Sequence, residues 1–460
     1  LLKRDAYCGK IRLSDAGKEV TLNGWIRKVR DFGKFAFVDM WDHTGLVQAV
    51  FDMGDEKLNG VKGCIVGDCV GIRGTVVERK DKNPDMATGD IEITAGAFIR
   101  YSVSEPLPIS ENPSEEIRLK YRYIDLRTDT MQGNLRFRHK VIKAIREHMD
   151  YKGFIEVETP VLSKSTPEGA RDYLVPSRMQ KGAFYALPQS PQIYKQLLMI
   201  GGVDKYFQIA RCFRDEDLRA NRQPEFTQLD VEMAYAAEED VFSVTEELFK
   251  YTVESVTGEK LDLPFRRMTH REAMADYGTD KPDLRFGLRI TDVTEEIKYD
   301  GFKVMESNAE KGGRIRGIKL SGFDVTRKII DGLTETAKKR GAGGLMWFRY
   351  KDGVMISPVS KFLPDAGKSV ERAFDMSEGD MVFMVAADAS TASAALGAVR
   401  LGLRDIFSLA DEDRLEFLWV TEFPMFFYNE DEGRYETEHH PFTMPDLDDV
   451  AAYMESDPLK

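Results

Sequence analysis

Tyr206-Phe207-Gln208-Ile209-Ala210-Arg211-Cys212-Phe213-Arg214 alternates in character, gives way to Asp215-Glu216-Asp217-Leu218-Arg219-Ala220-Asn221-Arg222-Gln223-Pro224, and resumes as Glu225-Phe226-Thr227-Gln228-Leu229-Asp230-Val231-Glu232-Met233. Strand side chains alternate between faces. Phe207, Ile209 and Phe213 therefore share one face of the first run, and Gln208, Ala210, Cys212 and Arg214 the other. On the second run Leu229, Val231 and Met233 oppose Gln228, Asp230 and Glu232. The stretch predicts an antiparallel hairpin with a long charged loop, one apolar face and one very polar face. An ordinary surface strand shows the same alternation. What sets this one apart is the scarcity of Lys and Ser among its polar residues and the arginines and acids crowded at its tip.

Upstream of the hairpin, Leu135, Val141, Ile142, Ile145 and Met149 recur at helical spacing, so a helix is expected from Gly133 to Lys152-Gly153. Phe154 to Thr159 then reads as a strand closed by Pro160, which has no donor to offer a ladder. Downstream, residues 283–412 carry Gly312-Gly313, Gly341-Ala342-Gly343-Gly344 and an Ala-rich stretch from Ala386 to Ala398, and read as an inserted α+β block. The glycine run lacks both the dinucleotide spacing and the phosphate-loop lysine, so it is not read as a phosphate site. Strands return at Leu418-Trp419-Val420, Phe423 to Tyr428 and Thr437 to Phe442.

At the front, Val20, Leu22 and Ile26, then Phe35 and Phe37, Leu46 to Phe51, Asp68 to Val77, and Asp90 to Thr94 give about five short strands within residues 19–99. Five such strands predict a small closed barrel, of which the oligonucleotide-binding (OB) barrel is one form. Such barrels stack bases on aromatics beside basic groups. Phe35 and Phe37 share a face, after Arg27, Lys28 and Arg30. The plainer reading puts both phenylalanines in the barrel core. Pro106, Pro108 and Pro113 mark residues 101–118 as an irregular linker. The boundaries expected are a barrel over 1–104, a linker over 105–132, a sheet domain over 133–282, an insert over 283–412, and the sheet domain again over 413–460.

The 460 residues fit about three domains. With 42% apolar and 31% charged residues the chain can bury a core, and it has no run of 18 apolar residues, so no spanning helix is expected. No apolar leader follows Leu1, and Cys8, Cys64, Cys69 and Cys212 form no paired motif, which fits a reducing cytoplasm. The absence of an initial Met is read as a trimmed front. The net charge of −13 argues against a generally basic nucleic-acid binder, yet the first 40 residues hold nine Lys and Arg against five acids.

Ser190 and Pro191 suit the cap and first position of a helix running through Gln192-Ile193-Tyr194-Lys195-Gln196-Leu197-Leu198, with Ile193, Leu197 and Ile200 expected on the core side and Gln192 and Lys195 together on the other. Alone, that is a commonplace amphipathic helix. His439-His440 is the one histidine pair, without neighbours spaced as further zinc ligands. No serine elbow, zincin helix or kinase signature is present. Arg, Glu, Asp, Gln and Lys on a sheet suit positioning and charge stabilisation more than covalent catalysis.

Phe213-Arg214-Asp215-Glu216, Arg219 and Gln223-Pro224-Glu225-Phe226-Thr227-Gln228-Leu229-Asp230 together resemble motif 2 of the class II aminoacyl-tRNA synthetases. The helix, strand and Pro160 before them resemble motif 1, the dimer-forming element. Thr166-Pro167-Glu168-Gly169-Ala170-Arg171-Asp172-Tyr173 and Gln189-Ser190-Pro191-Gln192-Ile193-Tyr194-Lys195-Gln196 narrow the resemblance to the bacterial aspartyl-tRNA synthetases, and the insert resembles their extra domain. The resemblance runs from about residue 7 to the end.

It implies an α+β architecture: an anticodon-binding OB barrel, a catalytic antiparallel sheet with helices, and an inserted α+β domain. It also implies an ATP-dependent ligase that makes aspartyl-adenylate and passes the aspartyl group to tRNA(Asp), working as a cytoplasmic homodimer with L-aspartate, ATP and Mg²⁺ and no membrane. Arg214 is then the catalytic residue at the α-phosphate, and Asp215, Glu216 and Gln223 complete the ATP contacts. Glu168, Ser190, Gln192, Lys195, Arg214, Gln228, Asp230, His439 and His440 would hold aspartate, with Lys195 on its side-chain carboxylate. Arg30, Phe37, Gln48 and Glu92 would read the anticodon; Val50 departs, standing where relatives can carry an aromatic. No side-chain metal site is implied, the magnesium bridging phosphates instead. The resemblance further implies a motif 3 region with its γ-phosphate arginine, which this sequence does not reach before Lys460. The native protein is therefore expected to continue, and a chain ending there to lack aminoacylation activity. Two other readings stand beside this one: an enzyme charging both tRNA(Asp) and tRNA(Asn), and a non-catalytic tRNA-binding relative.

Overall fold

The computed structural model describes residues 1–460 apart from 110–111, 167–168, 220–221, 298–302, 361–365, 430–431, 440–442 and 460. The chain forms two units, Leu1–Arg146 and Glu147–Lys460.

In the first, β1 (Glu19–Asp31), β2 (Phe35–Asp42), β3 (Gly45–Asp52), β4 (Cys69–Glu78) and β5 (Ile91–Ser102) close into a barrel in the order β1-β2-β3-β5-β4. Only β3 and β5 pair in parallel, through Ala49↔Ile93 and Val50↔Thr94. Leu22, Ile26, Val38, Met40, Val47, Phe51, Ile72 and Ile93 are fully buried inside it. Ala36 and Val38 point inward, so the period of two turns Phe35 and Phe37 outward, against the reading that made them core. Beyond the barrel the chain is helical at Glu115–Lys120 and Arg122–Asp125, where an irregular linker was expected. Asp125 is buried there and ion-paired with Arg118 (2.8 Å) and Arg122.

Helix α1 spans Asp129–Tyr151, starting before Gly133, and Leu135, expected on its buried stripe, is exposed while Met149 is fully buried. In the second unit β6 (Ile155–Glu156) runs parallel to β7 (Lys205–Phe213), which pairs antiparallel with β8 (Glu225–Met233) from Glu225↔Phe213 to Met233↔Lys205. The strand expected over 154–159 keeps two ladder residues and one further bond, Val157 N–H to Phe207 O at 3.1 Å. The hairpin is as expected, but its polar face is not a solvent face: Tyr206, Ala210, Cys212 and Asp230 on it are buried.

Helix α2 (Gln192–Ile200) crosses that face with Pro191 as its cap residue, one position later than expected; the Ser190 hydroxyl accepts from Gln192 N–H at 3.2 Å. Its orientation reverses the expectation. Ile193, Leu197 and Ile200 are exposed, and Lys195 faces the sheet with 12% of its side chain accessible. The reason is the partner surface: a sheet face carrying buried carboxylates takes the helix's ammonium, not its isoleucines.

The residues between form a five-stranded sheet in the order Thr291–Asp292, Arg314–Leu320, Met381–Ala387, Met346–Lys351, Val354–Ile356. Helix Arg327–Lys338 and helix α3 (Ala389–Phe407) pack on it. Gly341 to Gly344 closes the former helix, with Ala342 in the core. Helix His270–Tyr277 ends on Gly278 at φ +68°, where a Cβ would lie 2.0 Å from Ser393 O of α3, so only glycine allows this contact. Leu418–Thr421 then pairs in parallel with Arg266–Thr269. Phe426–Asn429 pairs antiparallel with Arg434–Thr437, and residues 440–442 of the strand expected from Thr437 to Phe442 lie outside the described residues.

Asp68 is the barrel's fully buried charge. It meets Arg100 at 2.6 Å and accepts from Ile65 N–H at 2.8 Å and Ser104 N–H at 2.7 Å. Burial alone would raise its pKa; the Ser104 and Ile65 N–H groups and the Arg100 guanidinium outweigh it and hold the carboxyl below its usual range. A lowered folded-state pKa gives stability that is present above the unfolded value, about 4, and lost as pH falls through the folded one. Asp68→Asn is expected to cost about 3 kcal/mol at neutral pH. In urea unfolding the gap to the parent should narrow as pH drops below about 4; a gap independent of pH would refute the assignment.

Candidate functional site

Three loops meet at the tip of β7 and β8. Phe213 N–H donates to Pro188 O at 2.9 Å, which ties the stretch before α2 to the end of β7. Asp215 N–H donates to Arg171 O at 3.0 Å, which brings in the 169–173 segment. Gln189, almost fully buried, locks the first to the second: its side-chain amide donates to Ala170 O (2.9 Å) and Asp172 Oδ1 (2.5 Å) and accepts from Ala170 N–H (3.2 Å). Residues more than 40 apart in sequence thus share one pocket floor. Glu168, at the head of this segment, lies outside the described residues.

On that floor Lys195 Nζ donates to Asp230 Oδ1 at 2.8 Å and lies 3.3 Å from Glu232. Asp230 Oδ2 is buried with no hydrogen-bond partner among the described residues. An unpaired buried carboxylate oxygen is costly unless a donor completes it, so this atom is an acceptor awaiting a cationic or N–H group. Gln228 accepts from Cys212 Sγ at 3.0 Å, and Gln208 accepts from the hydroxyls of Thr159 (3.0 Å) and Tyr206 (2.8 Å). Burial, with Asp230 beside it, pushes the Tyr206 hydroxyl well above the usual phenol range. Ser190 and Gln192 are half-buried at the N-terminal end of α2, beside this floor.

Arg214 leaves the end of β7 half-buried, its backbone N–H bonded to Pro224 O at 2.9 Å. Its guanidinium stacks 5.1 Å from the Phe226 ring centroid and has no carboxylate partner among the described residues. Asp215, Glu216 and Gln223 are exposed around the loop, with Glu216 paired to Arg222 at 3.2 Å. A guanidinium stacked on an aromatic ring suits a phosphate and a buried carboxylate oxygen suits an ammonium; one hairpin carries both, Arg214 lying six residues beyond Gln208, the ladder partner of Asp230. The His439 ring packs edge-on to Phe423 at 5.4 Å, and Phe423 in turn meets His270. His440 lies outside the described residues. Phe226, Gln189 and Glu232 have structural parts here that the sequence pattern left unassigned. The signal for Phe226 and Glu232 was their place on β8; Gln189 stood in the stretch that carries the resemblance, without a role of its own.

In the barrel unit, a 460 Å³ cavity opens on the outer face, lined among others by Arg30, Phe37, Gln48, Phe32 and Arg79. Phe32 and Phe37 meet edge to face at 5.7 Å, and Arg30 donates to Asp39 at 2.6 Å. Gln48 is buried opposite Asp39 in the ladder. Glu92 is half-buried near Arg79; burial raises its pKa, and Arg79 and Lys80 oppose the rise. Arg79, Asn83 and Met86 enter this cavity from the loop after β4, so no local sequence signal places them there.

Among the described residues no helix is long and apolar enough to cross a membrane, and no three His, Cys, Asp or Glu converge as a metal site. Two family models match the chain: the tRNA synthetases class II (D, K and N) over residues 114–457, and the OB-fold nucleic acid binding domain over residues 20–99. The aspartate–tRNA ligase of Clostridium acetobutylicum is 47% identical over 99% of this chain and 78% of its own length. The aspartate–tRNA(Asp/Asn) ligase of Caldanaerobacter subterraneus subsp. tengcongensis is also 47% identical, over 100% of this chain and 79% of its own. In fold, the chain is similar to asparaginyl-tRNA synthetase from Pyrococcus horikoshii complexed with asparaginyl-adenylate, with TM-score 0.53 and 20% identity over 90% of this chain and 100% of that one. A barrel with outward-facing aromatics, a motif 2 hairpin and these likenesses lead to one conclusion: the chain belongs to the class II tRNA synthetases, in the aspartate–tRNA ligase family.

Proposed function

We propose that this chain activates L-aspartate with ATP and transfers it to tRNA(Asp), and that the pocket joining Arg214, Lys195 and Asp230 does the work. The observation that carries the reading is one hairpin bearing an Arg214 guanidinium and an Asp230 oxygen that have no ion-pair or hydrogen-bond partner among the described residues. In this reading a carboxylate oxygen of aspartate attacks the α-phosphorus, the bond to the β-phosphate breaks, and pyrophosphate leaves. Arg214 meets the charge that gathers on the α-phosphate oxygens, fixed before the reaction and so without reorganisation. Asp215, Glu216 and Gln223 line the nucleotide's approach. The substrate ammonium completes Asp230 Oδ2, with Glu168, Ser190, Gln192 and Gln228 around it, and its side-chain carboxylate takes a share of Lys195, which rejects a neutral amide. A ribose hydroxyl at the tRNA terminus then attacks the acyl carbon and AMP departs.

ATP with a divalent metal is the family's chemistry; the ion we assign is Mg²⁺, entering on the nucleotide phosphates as part of the substrate. His439 and His440 are kept as candidates for the pocket rim. Arg30, Phe37, Gln48 and Glu92 are proposed as anticodon contacts, since an aromatic and a guanidinium on an open cavity suit an unstacked base. Four free cysteines fit a reducing cytoplasm. A homodimer is supported by Ile155, Val161 and Leu162, exposed together after α1. A second reading, charging of tRNA(Asn) as well, is favoured by the relative named for both tRNAs at the same identity.

With the full-length protein, aspartate-dependent ATP–pyrophosphate exchange is expected, and Arg214→Ala should lower it by about 10²–10³-fold; a parent protein without exchange overturns the reading. Lys195→Met should raise KM for aspartate by roughly 10–100-fold and erase most of the preference over asparagine. Phe37→Ala should weaken tRNA binding by about 1–3 kcal/mol in filter binding while leaving exchange intact. Charging of purified tRNA(Asp) and tRNA(Asn) in parallel separates the two readings.

A further inference from the structure

A second cavity, 290 Å³, lies in the larger unit and involves none of the residues around Arg214. Its wall includes Arg266, Arg285, Arg289, Arg414 and Gly287, and no acidic side chain lines it. The four arginines come from three separate stretches, the strand at Arg266–Thr269, the connection 283–290 and the segment before Leu418. Their neutralisation is incomplete. Arg266 has no ion pair among the described residues, Arg289 reaches Asp276 only at 3.8 Å, and Arg285, forked onto Asp283 at 3.0 Å, meets Glu412 at 3.8 Å; Arg414 alone has a close single partner, Glu416.

The backbone adds donors for a reason that lies behind the cavity. Arg400, on α3, is 1% exposed and hydrogen-bonds four carbonyls: Asp283 (2.8 Å), Phe286 (3.1 Å), Gly287 (2.9 Å) and Leu288 (2.9 Å). Its guanidinium lies between the rings of Phe286 (3.9 Å) and Tyr277 (4.9 Å). In a trans peptide the C=O and the following N–H point in opposite directions. Gathering those carbonyls on Arg400 therefore turns the N–H groups of Leu284, Gly287, Leu288 and Arg289 away from it. Those of Gly287, Leu288 and Arg289 donate to no other group among the described residues. Leu288 has φ +66°, and left-handed residues occur in the turns whose successive N–H groups form anion-holding concavities.

We infer that this arginine-walled cleft binds a phosphate group at a site separate from the nucleotide pocket, with Arg266, Arg285, Arg289 and Arg414 as cations and the Gly287–Arg289 backbone as donors. Planar guanidinium groups suit phosphate oxygens bidentately. Two sources offer the same chemistry, a phosphodiester of a bound RNA or free phosphate. Arg400 is a positioning residue: it holds the loop that presents the donors.

The test compares the full-length parent with the double variant Arg289→Gln/Arg414→Gln and with Gly287→Asp. Both arginine side chains are more than half exposed, and a Cβ at Gly287 meets nothing within 4 Å, so the fold tolerates all three changes. Titration with inorganic phosphate, followed by calorimetry, is expected to weaken about tenfold or more in both variants. In parallel, tRNA binding is measured from low to high salt. If the RNA supplies the phosphate, the slope of log affinity against log salt falls by about 0.7–0.9 for each phosphate that is no longer neutralised. If free phosphate is the ligand, the phosphate titration weakens and the RNA slope holds. Variants that bind both inorganic phosphate and tRNA as the parent does overturn the inference. Amino-acid-dependent exchange should be unchanged in all of them, so a failure of the ligase reading, seen as no exchange in the parent, is a separate result.

Discussion

The ammonium of Lys195, held at 2.8 Å from a buried Asp230, is the constraint around which the larger unit's site is arranged. A charge so poorly hydrated must be matched, and removing one member of the pair leaves the other to bear the full desolvation cost. That requirement turns α2 over, sending Ile193, Leu197 and Ile200 outward. It also leaves one oxygen of Asp230 without a hydrogen-bond partner among the described residues. The pair is thus less a stabilising feature than a polarised seat: the pocket keeps charge where a charged ligand can exchange into it.

The hairpin supplies the rigidity this seat needs. Nine ladder positions hold β7 to β8, and the tip is tied by Pro188, Arg171 and Pro224. Arg214 is held by that frame and by the Phe226 ring 5.1 Å from its guanidinium, with no salt bridge among the described residues. The barrel uses the opposite device. Its interior is apolar and closed, and Phe37 and Arg30 stand on the outside, at the cavity on that face, because Ala36 and Val38 fill the space within.

Two arginines show how burial changes the part a residue plays. Arg214 is half-buried, stacked on Phe226, and has no ion pair among the described residues. Arg400 is enclosed and bonded to four carbonyls; burial lowers its pKa to about 10, which still leaves it charged at neutral pH. It organises backbone instead of ligand. The same side chain becomes a contact group or an internal scaffold according to which acceptors surround it.

The amino-acid order by itself determined what period and turn chemistry can carry. The strand alternation of the barrel and of the hairpin is local, so those elements were legible, and the grouping Phe213 to Asp230 named the chemistry. Only the tertiary structure decided which face of α2 turns inward, that Phe35 and Phe37 stand outside the barrel, that Gln189 bolts the 170–172 segment to the pocket, and that arginines from residues 266 to 414 share one cleft. A helical stripe records that two faces differ, but not what each will meet. That is settled by the partner surface, and here the partner carries carboxylates, whose need for a buried cation outweighs the gain from covering three aliphatic side chains.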